Sequence, residues 1–523
     1  MKRTLSLAVA IAMAACMVLS LGVSALAEEK AYDKHLTISW AYAGISEGVD
    51  YEADAYGKYW ADKFNVTFDI IPMTFDNWEE RLRIWINSGD MPDVANWSFY
   101  QYGELVNYVD QELLYRLPDG WKDRWTNIAS AQTYVPAAAM VEENMGGTYL
   151  LIRPVFSIHK PAEKLSYHTL LYMRKDWLTA VGAELKDTYT IDEVTDIARK
   201  IKAQDPGGLG GNLRPICIET TNMGGALPVN IFTHATQAPY YKDESGKYVW
   251  GPADPRTLEG LSIYKGWYDE GLQDPEFYTL EKSFGDQYRF YFEGNVGITT
   301  ADGMAGRMRL FEIELAKIGL KYEDTVHIAQ LVGNDGLYHH REQGNYWASQ
   351  VFSPTIDQEK FERAMDVIDF SASLEGQEFI NMGFKDVDWT VDESGAYANL
   401  LGETSLGEKY PSATAFFGGM LCLGDDFAFV SPGAAPEYRQ AVSKFYALRD
   451  QLGKDPSTFL DIDWDIQYYS SPAMSQATMI LADEYAKLIL MDGDLEANWK
   501  NWVNEKMAVV QPVLDELNAK FAD

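Results

Sequence analysis

Leu171-Tyr-Met-Arg-Lys-Asp-Trp-Leu178, followed by Thr190-Ile-Asp-Glu193 and closing at Asp205-Pro206, decides how this chain is read. It reads as a strand end running into two helices. The first spans Arg174 to Val181 and stops at Gly182, where a left-handed residue ends it. The second opens with a capping box: the Thr190 hydroxyl takes a free backbone N–H while Glu193 reaches back. Val194, Ile197, Ala198 and Ile201 then recur at helical spacing, as a buried stripe does. Nothing in this local geometry requires catalysis.

From His35 the chain alternates strands and helices. His35-Leu-Thr-Ile-Ser-Trp40 reads as a strand and Tyr51 to Phe64 as a helix. Val66 to Pro72 is a second strand, and Asn77 to Ser88 a second helix with Trp78, Leu82, Trp85 and Ile86 on one face. Ser88-Gly-Asp-Met-Pro-Asp93 turns into a short strand ending Val94-Ala-Asn-Trp97. This alternation predicts a parallel sheet covered by helices. Ligands of such sheets sit beyond the carboxyl ends of the strands, which here carry Trp40, Tyr42, Trp97 and Tyr100.

Several stretches resemble one family. Arg174-Lys-Asp-Trp-Leu178, with Thr190, Glu193 and Asp205-Pro206, resembles the "RKDWL … T-x-x-E … D-P" segment of extracellular solute-binding proteins of carbohydrate ABC importers, family 1. Ser88 to Asp93 is similar to their "SGDxPD", Asp269-Glu-Gly-Leu-Gln-Asp-Pro275 to "xEGLIDPE", and Phe292-Glu-Gly-Asn-Val-Gly297 to "F-x-x-G-x-V-G". Leu374-Glu-Gly376 resembles the "S-x-EG" helix, and Met491 to Phe521 the terminal helices. Gly147 to Pro154 resembles the crossover strand, with Tyr149 shifted from the usual place.

The resemblance implies an α/β, two-lobed periplasmic-binding-protein type II fold, with parallel-rich sheets flanked by helices around an interlobe cleft. It points to the long, lipoprotein-type subgroup that binds oligosaccharides. It implies discontinuous lobes: 28–155 in the first, 156–284 in the second, 285–345 in the first again, and 346–523 in the second with the C-terminal helices. Crossings are expected near Arg153, Phe284 and Tyr346. Gly207 to Gly211 and Gly251 to Pro255 read as loops within a lobe.

Residues 1–27 have the form of an export signal: Lys2 and Arg3, an apolar run from Leu5, and a small-x-small site at Ala25-Leu-Ala27. Cleavage after Ala27 is expected to release a protein beginning at Glu28. Lipid attachment at Cys16 is the alternative, although Met13-Ala-Ala-Cys16 is a poor lipobox inside a continuing apolar leader. The remaining chain is long enough for two lobes. A net charge of −34 opposes nucleic-acid binding, which needs Lys and Arg against phosphates. Cys217 and Cys422 read as buried thiols, with a disulfide as the alternative.

The remaining constellations reduce to ordinary structure. Asp461-Ile-Asp-Trp-Asp465 is a calcium candidate read as a strand edge, and Asp243 to Lys247 as a hairpin turn. His339-His340 reads as a solvated loop, because neighbours on a strand face opposite ways. No nucleotide loop, nucleophile elbow or zinc-protease motif occurs. With 15 Trp and 32 Tyr, the chain has the rings a sugar-stacking cleft uses.

The candidate ligand set is Trp40, Tyr42, Trp97, Tyr100, Arg153, Asn222, Asp302 and Trp347. Arg153 is read as forking onto a hydroxyl pair or a uronate carboxylate, or else as pairing with a surface acid. The resemblance implies an exported, monomeric capture protein with no catalytic residues, metal or cofactor. It would deliver a carbohydrate, an oligosaccharide above all, to the permease subunits of an ABC transporter. The alternatives from other classes are a secreted polysaccharide hydrolase or lyase and a surface sugar sensor.

Overall fold

The computed structural model describes residues 32–521 apart from 44–47, 75–76, 98–101, 155–164, 167–168, 219–238, 281–284, 304, 344–345, 394, 403, 414–439, 441–443, 446, 449–450 and 453–458. The expected leader, Tyr100, Asn222 and Cys422 lie outside the described residues.

β1 (Leu36–Ala43) and β2 (Val66–Met73) pair in parallel along their whole length, Leu36 beside Val66 and Ala43 beside Met73. The helix Ala55–Phe64 connects them. Asp54 caps it by accepting from the N–H groups of Tyr56 and Gly57, and Asn65 ends it at φ 49°. Helix Trp78–Ser88 leads into β3 (Val94–Trp97), which is parallel to β1. β4 (Leu150–Ile152) is the last strand here before the chain departs.

After the short β5 (Leu165–Ser166), a second sheet starts with β6 (Thr169–Arg174). The two helices expected after it are Lys175–Ala180, followed by Gly182 at φ 68°, and Ile191–Gln204. The capping box is present. Glu193 N–H donates to Thr190 Oγ1 at 3.3 Å, and Thr190 N–H to Glu193 Oε2 at 3.0 Å. Val194, Ile197, Ala198 and Ile201 are buried. β7 (Thr188–Thr190) and β8 (Arg214–Ile216) follow, then the hairpin of β9 (Tyr240–Lys242) and β10 (Tyr248–Trp250). Within that hairpin's turn, Asp243 accepts from the backbone of Ser245 and Lys247 and from the Ser245 hydroxyl.

β11 (Val296–Asp302), β12 (Val326–Val332), β13 (His340–Gln343) and β14 (Ser349–Phe352) come next. The hairpin β15 (Trp389–Val391) and β16 (Tyr397–Asn399) precedes β17 (Phe459–Leu460). The two large sheets run β2-β1-β3-β14-β4 and β7-β12-β6-β11-β8. In the small sheet β17-β13-β5, β5 and β13 come from the stretches that pass between the large sheets, and β17 follows the last strand of both.

Strand pairing corrects two expectations. β11 and β12 both hydrogen-bond to β6, so residues 296–332 belong with the second sheet and not with the first lobe. β14 lies between β3 and β4, and the helix Gln358–Ala372 packs in the first sheet's core, so this part of 346–523 belongs with the first. The C-terminal helices Leu481–Leu490 and Leu495–Phe521 do pack on the second core.

The sheets are also mixed where parallel pairing was expected to dominate. β14 and β6 are antiparallel to both of their neighbours. Each is the strand by which the chain enters its sheet from the other one. At these two entries the preceding strand lies in another sheet, so the crossover rule that aligns successive strands of one sheet in parallel does not apply.

Candidate functional site

The site begins where β4 ends. Arg153 N–H donates to the Ala348 carbonyl at 3.0 Å, and Trp347 N–H donates to the Arg153 carbonyl at 3.1 Å. The pairing of β4 with β14 thus continues past the strand ends, joining the outgoing and returning segments. Ala348 holds φ 61°, a conformation unusual for a residue with a Cβ. The Arg153 guanidinium lies 5.1 Å from the centre of the Trp347 ring. Trp347 in turn stacks on Trp78, the first residue of the helix Trp78–Ser88, at 5.6 Å.

Arg153 is only 1% exposed. Its Nε and Nη1 have no hydrogen-bond acceptor among the described residues.

A second group of rings comes from far along the chain. Trp464 and Tyr468 stack at 5.9 Å with planes 5° apart, and Tyr102 meets Tyr468 edge-on at 5.3 Å. Trp464, Tyr468, Tyr102, Tyr346, Trp347 and Trp78 all belong to one apolar cluster of the first lobe. Burial, with Tyr346 and Tyr102 alongside, pushes the Tyr468 phenol far above its ordinary range, so it stays a neutral hydroxyl.

The segment carrying Trp464 and Tyr468 is held by both cores. Ile466 and Tyr469 pack against the second core. Asp463 caps the short helix Trp464–Gln467 and accepts from the Tyr248 hydroxyl at 2.8 Å. Ile462 N–H donates to Glu342 of β13 at 3.1 Å. Asp463, read from sequence as part of a calcium candidate, is therefore engaged in helix capping and in this tie. Among the described residues no group of three metal-ligating side chains stands together.

The sequence-derived ligand set divides. Arg153 and Trp347 come together as described. Trp40 is core: it is 0% exposed, packs on Phe68, and donates to Gln350 Oε1 at 3.3 Å. The reason is strand length. β1 runs to Ala43, three residues beyond the expected end, so Trp40 lies within the strand; Trp40 and Tyr42 face one apolar core while Ala41 and Ala43 face another. Trp97 does end β3, but it is buried against Tyr108 of the helix Tyr102–Asp110. Asp302 ends β11 beside Thr169. Tyr100 and Asn222 lie outside the described residues.

His340 is also corrected: it is a buried strand residue stacked on Tyr338 and not part of a solvated loop, while His339 contacts Asp335. Cys217 is buried. Sequence reasoning missed Trp464, Tyr468, Tyr102 and Tyr346 as site residues. Trp464 sat inside a motif read only for its aspartates.

No family model matches the chain. A curated relative, lipoprotein LipO of Bacillus subtilis (strain 168), is 23% identical over 235 residues, which are 44% of this chain and 42% of that protein. The matched region thus spans less than half of the relative's length. Solved structures are similar over nearly the whole chain. The alginate-binding protein AlgQ2 aligns with a TM-score of 0.61 at 15% identity, covering 92% of this chain and 97% of the other. The S. pneumoniae ABC-transporter substrate-binding protein FusA, in complex with kestose, gives 0.60 at 14% identity, covering 92% and 99%. An extracellular solute-binding protein from Bifidobacterium longum subsp. infantis gives 0.62 at 13%, covering 92% and 97%. The chain therefore has the two-lobed α/β fold of solute-binding proteins. Among the described residues, no helix is long and apolar enough to cross a membrane.

Proposed function

We propose that this chain is an extracytoplasmic solute-binding protein that captures a carbohydrate, an oligosaccharide above all, and delivers it to an ABC import permease. The observation that carries this reading is the ring and guanidinium cluster at the crossings between lobes, where Trp347, Trp78, Arg153, Tyr346, Trp464 and Tyr468 converge. Aromatic faces pack on the apolar C–H face of a pyranose, and a few polar groups set its orientation. Support also comes from structural neighbours described as binding alginate, kestose and Man5GlcNAc.

In this reading the protein is a monomer and catalyses nothing. Lobe closure on the sugar creates the surface that the permease recognises, driven by contacts made only in the closed form. Residues 1–27 act as the export leader, leaving Glu28 at the mature terminus. Tyr100, Asn222 and Asp302 are proposed as further cleft residues. Trp40, Tyr42 and Trp97 support the cleft from the core behind it.

The test is a thermal-shift screen against a glycan library, followed by calorimetry and a reducing-end assay. A ligand that binds only the folded chain raises its melting temperature. Saturable binding without product is expected. Release of new reducing ends from an oligosaccharide would overturn the reading in favour of a hydrolase.

A further inference from the structure

Among the described residues three arginines are less than a tenth exposed: Arg153, Arg174 and Arg363, at 1%, 6% and 7%. Two of them are satisfied by the chain itself. Arg174 forks onto Asp176, Nε to Oδ1 at 2.8 Å and Nη2 to Oδ2 at 2.6 Å, and also reaches the Gly294 carbonyl. Arg363 donates to the carbonyls of Lys34, Phe64 and Asn65 while lying over the Tyr32 ring. Both are structural clamps, and their partners account for their burial.

Arg153 is the most buried of the three and lacks such partners. Its Nε and Nη1 have no acceptor, and no carboxylate forms an ion pair with it among the described residues. The chain does not lack acids, having 78 Asp and Glu against 44 Lys and Arg. Two guanidinium donors removed from water without an acceptor are strongly unfavourable. The Trp347 ring offsets only part of this through its π face. A desolvated donor set of this kind, held where the chain passes between the two sheets, is pre-organised for an acceptor that the described residues do not supply.

We propose that Arg153 anchors an anionic group carried by the sugar ligand, so that the captured carbohydrate is acidic. This rests on the capture reading above and narrows its ligand class. A carboxylate or a sulfate ester would satisfy the same donors; both are oxyanions that a guanidinium binds through charge-assisted hydrogen bonds. Nε and Nη1 are closed to solvent in this conformation, so the anion reaches them with a change of conformation.

The experiment is calorimetry on the full chain with a panel of oligosaccharides of matched length. It contains uronate oligosaccharides, each with its carboxyl-methylated counterpart, together with sulfated and neutral ones. Arg153→Met is run beside the unsubstituted protein, with melting temperatures of both in the absence of ligand.

The expected result is an acidic ligand whose esterified form binds about 30-fold or more weakly, and a similar loss for the acidic ligand in Arg153→Met. Preference for a carboxylate or a sulfated ligand identifies which oxyanion is used. Because Nε and Nη1 have no acceptor among the described residues, Arg153→Met should melt at the same temperature or higher.

Tight binding of a neutral oligosaccharide, unaltered by Arg153→Met, would overturn the inference and leave the capture reading standing. A marked fall in the ligand-free melting temperature with affinity unchanged would make Arg153 a structural residue and also overturn it. Absence of binding to any glycan would overturn the capture reading and this inference together.

Discussion

Trp78 and Trp347 stack with ring centroids 5.6 Å apart and planes inclined by 24°, joining the start of the helix Trp78–Ser88 to the segment that re-enters the first sheet as β14. The contact fixes the ring beneath Arg153 and sets the geometry of the crossing. It also separates two kinds of tryptophan in this protein, those that build the core and those that stand at the join between lobes.

That separation is measurable. Trp347→Ala should weaken sugar binding by roughly 1–3 kcal/mol, as loss of an aromatic anchor does, with a small change in melting temperature. Trp40→Ala, at a fully buried position, should instead cost about 3–5 kcal/mol of stability through the cavity it leaves. Calorimetry and denaturant unfolding of the two variants would show whether the losses fall as stated.

Tyr248→Phe removes the hydrogen bond to Asp463 and should destabilise the chain by about 1 kcal/mol. Its particular signature is local. Amide hydrogen exchange should quicken around Trp464 to Tyr469, the segment that this bond ties to the second core, while exchange in β1 is unchanged.

Glu484 makes the docking of the C-terminal helices dependent on pH. Partial burial raises its carboxyl pKa, but Lys487, Trp502 and Lys506 hydrogen-bond to the carboxylate and bring it down to about 2. A depressed carboxyl stabilises the fold fully above its unfolded value near 4.5 and loses that contribution as pH falls towards 2. Melting temperature should therefore drop over this window. In Glu484→Gln it should start lower at pH 7 and fall less steeply.

Thr190→Ala removes one half of the capping box and should cost about 0.5–2 kcal/mol, read as a shift in denaturant midpoint with an unchanged slope. Sugar affinity should stay the same, because this cap lies within the second lobe and touches none of the clustered rings.

The capping box at Thr190, the buried stripe from Val194 to Ile201 and the opening strand–helix alternation were all legible in the sequence. Each is written in interactions between residues three or four apart, or in the alternation along a single strand, so a window of some ten residues carries the information. What the sequence could not determine is which sheet a strand joins once the chain has crossed. β11, β12 and β14 lie in the opposite lobes from those the resemblance implies, because strand pairing is settled by burial and register between distant segments. The depth of Trp40 depended likewise on β1 continuing to Ala43 beside Met73. Arg153 and Trp347 could be named from sequence as separate candidates. Their meeting, the stack on Trp78 and the arrival of Trp464 and Tyr468 from the far end of the chain exist only in the folded molecule, where segments distant in sequence meet on one apolar cluster.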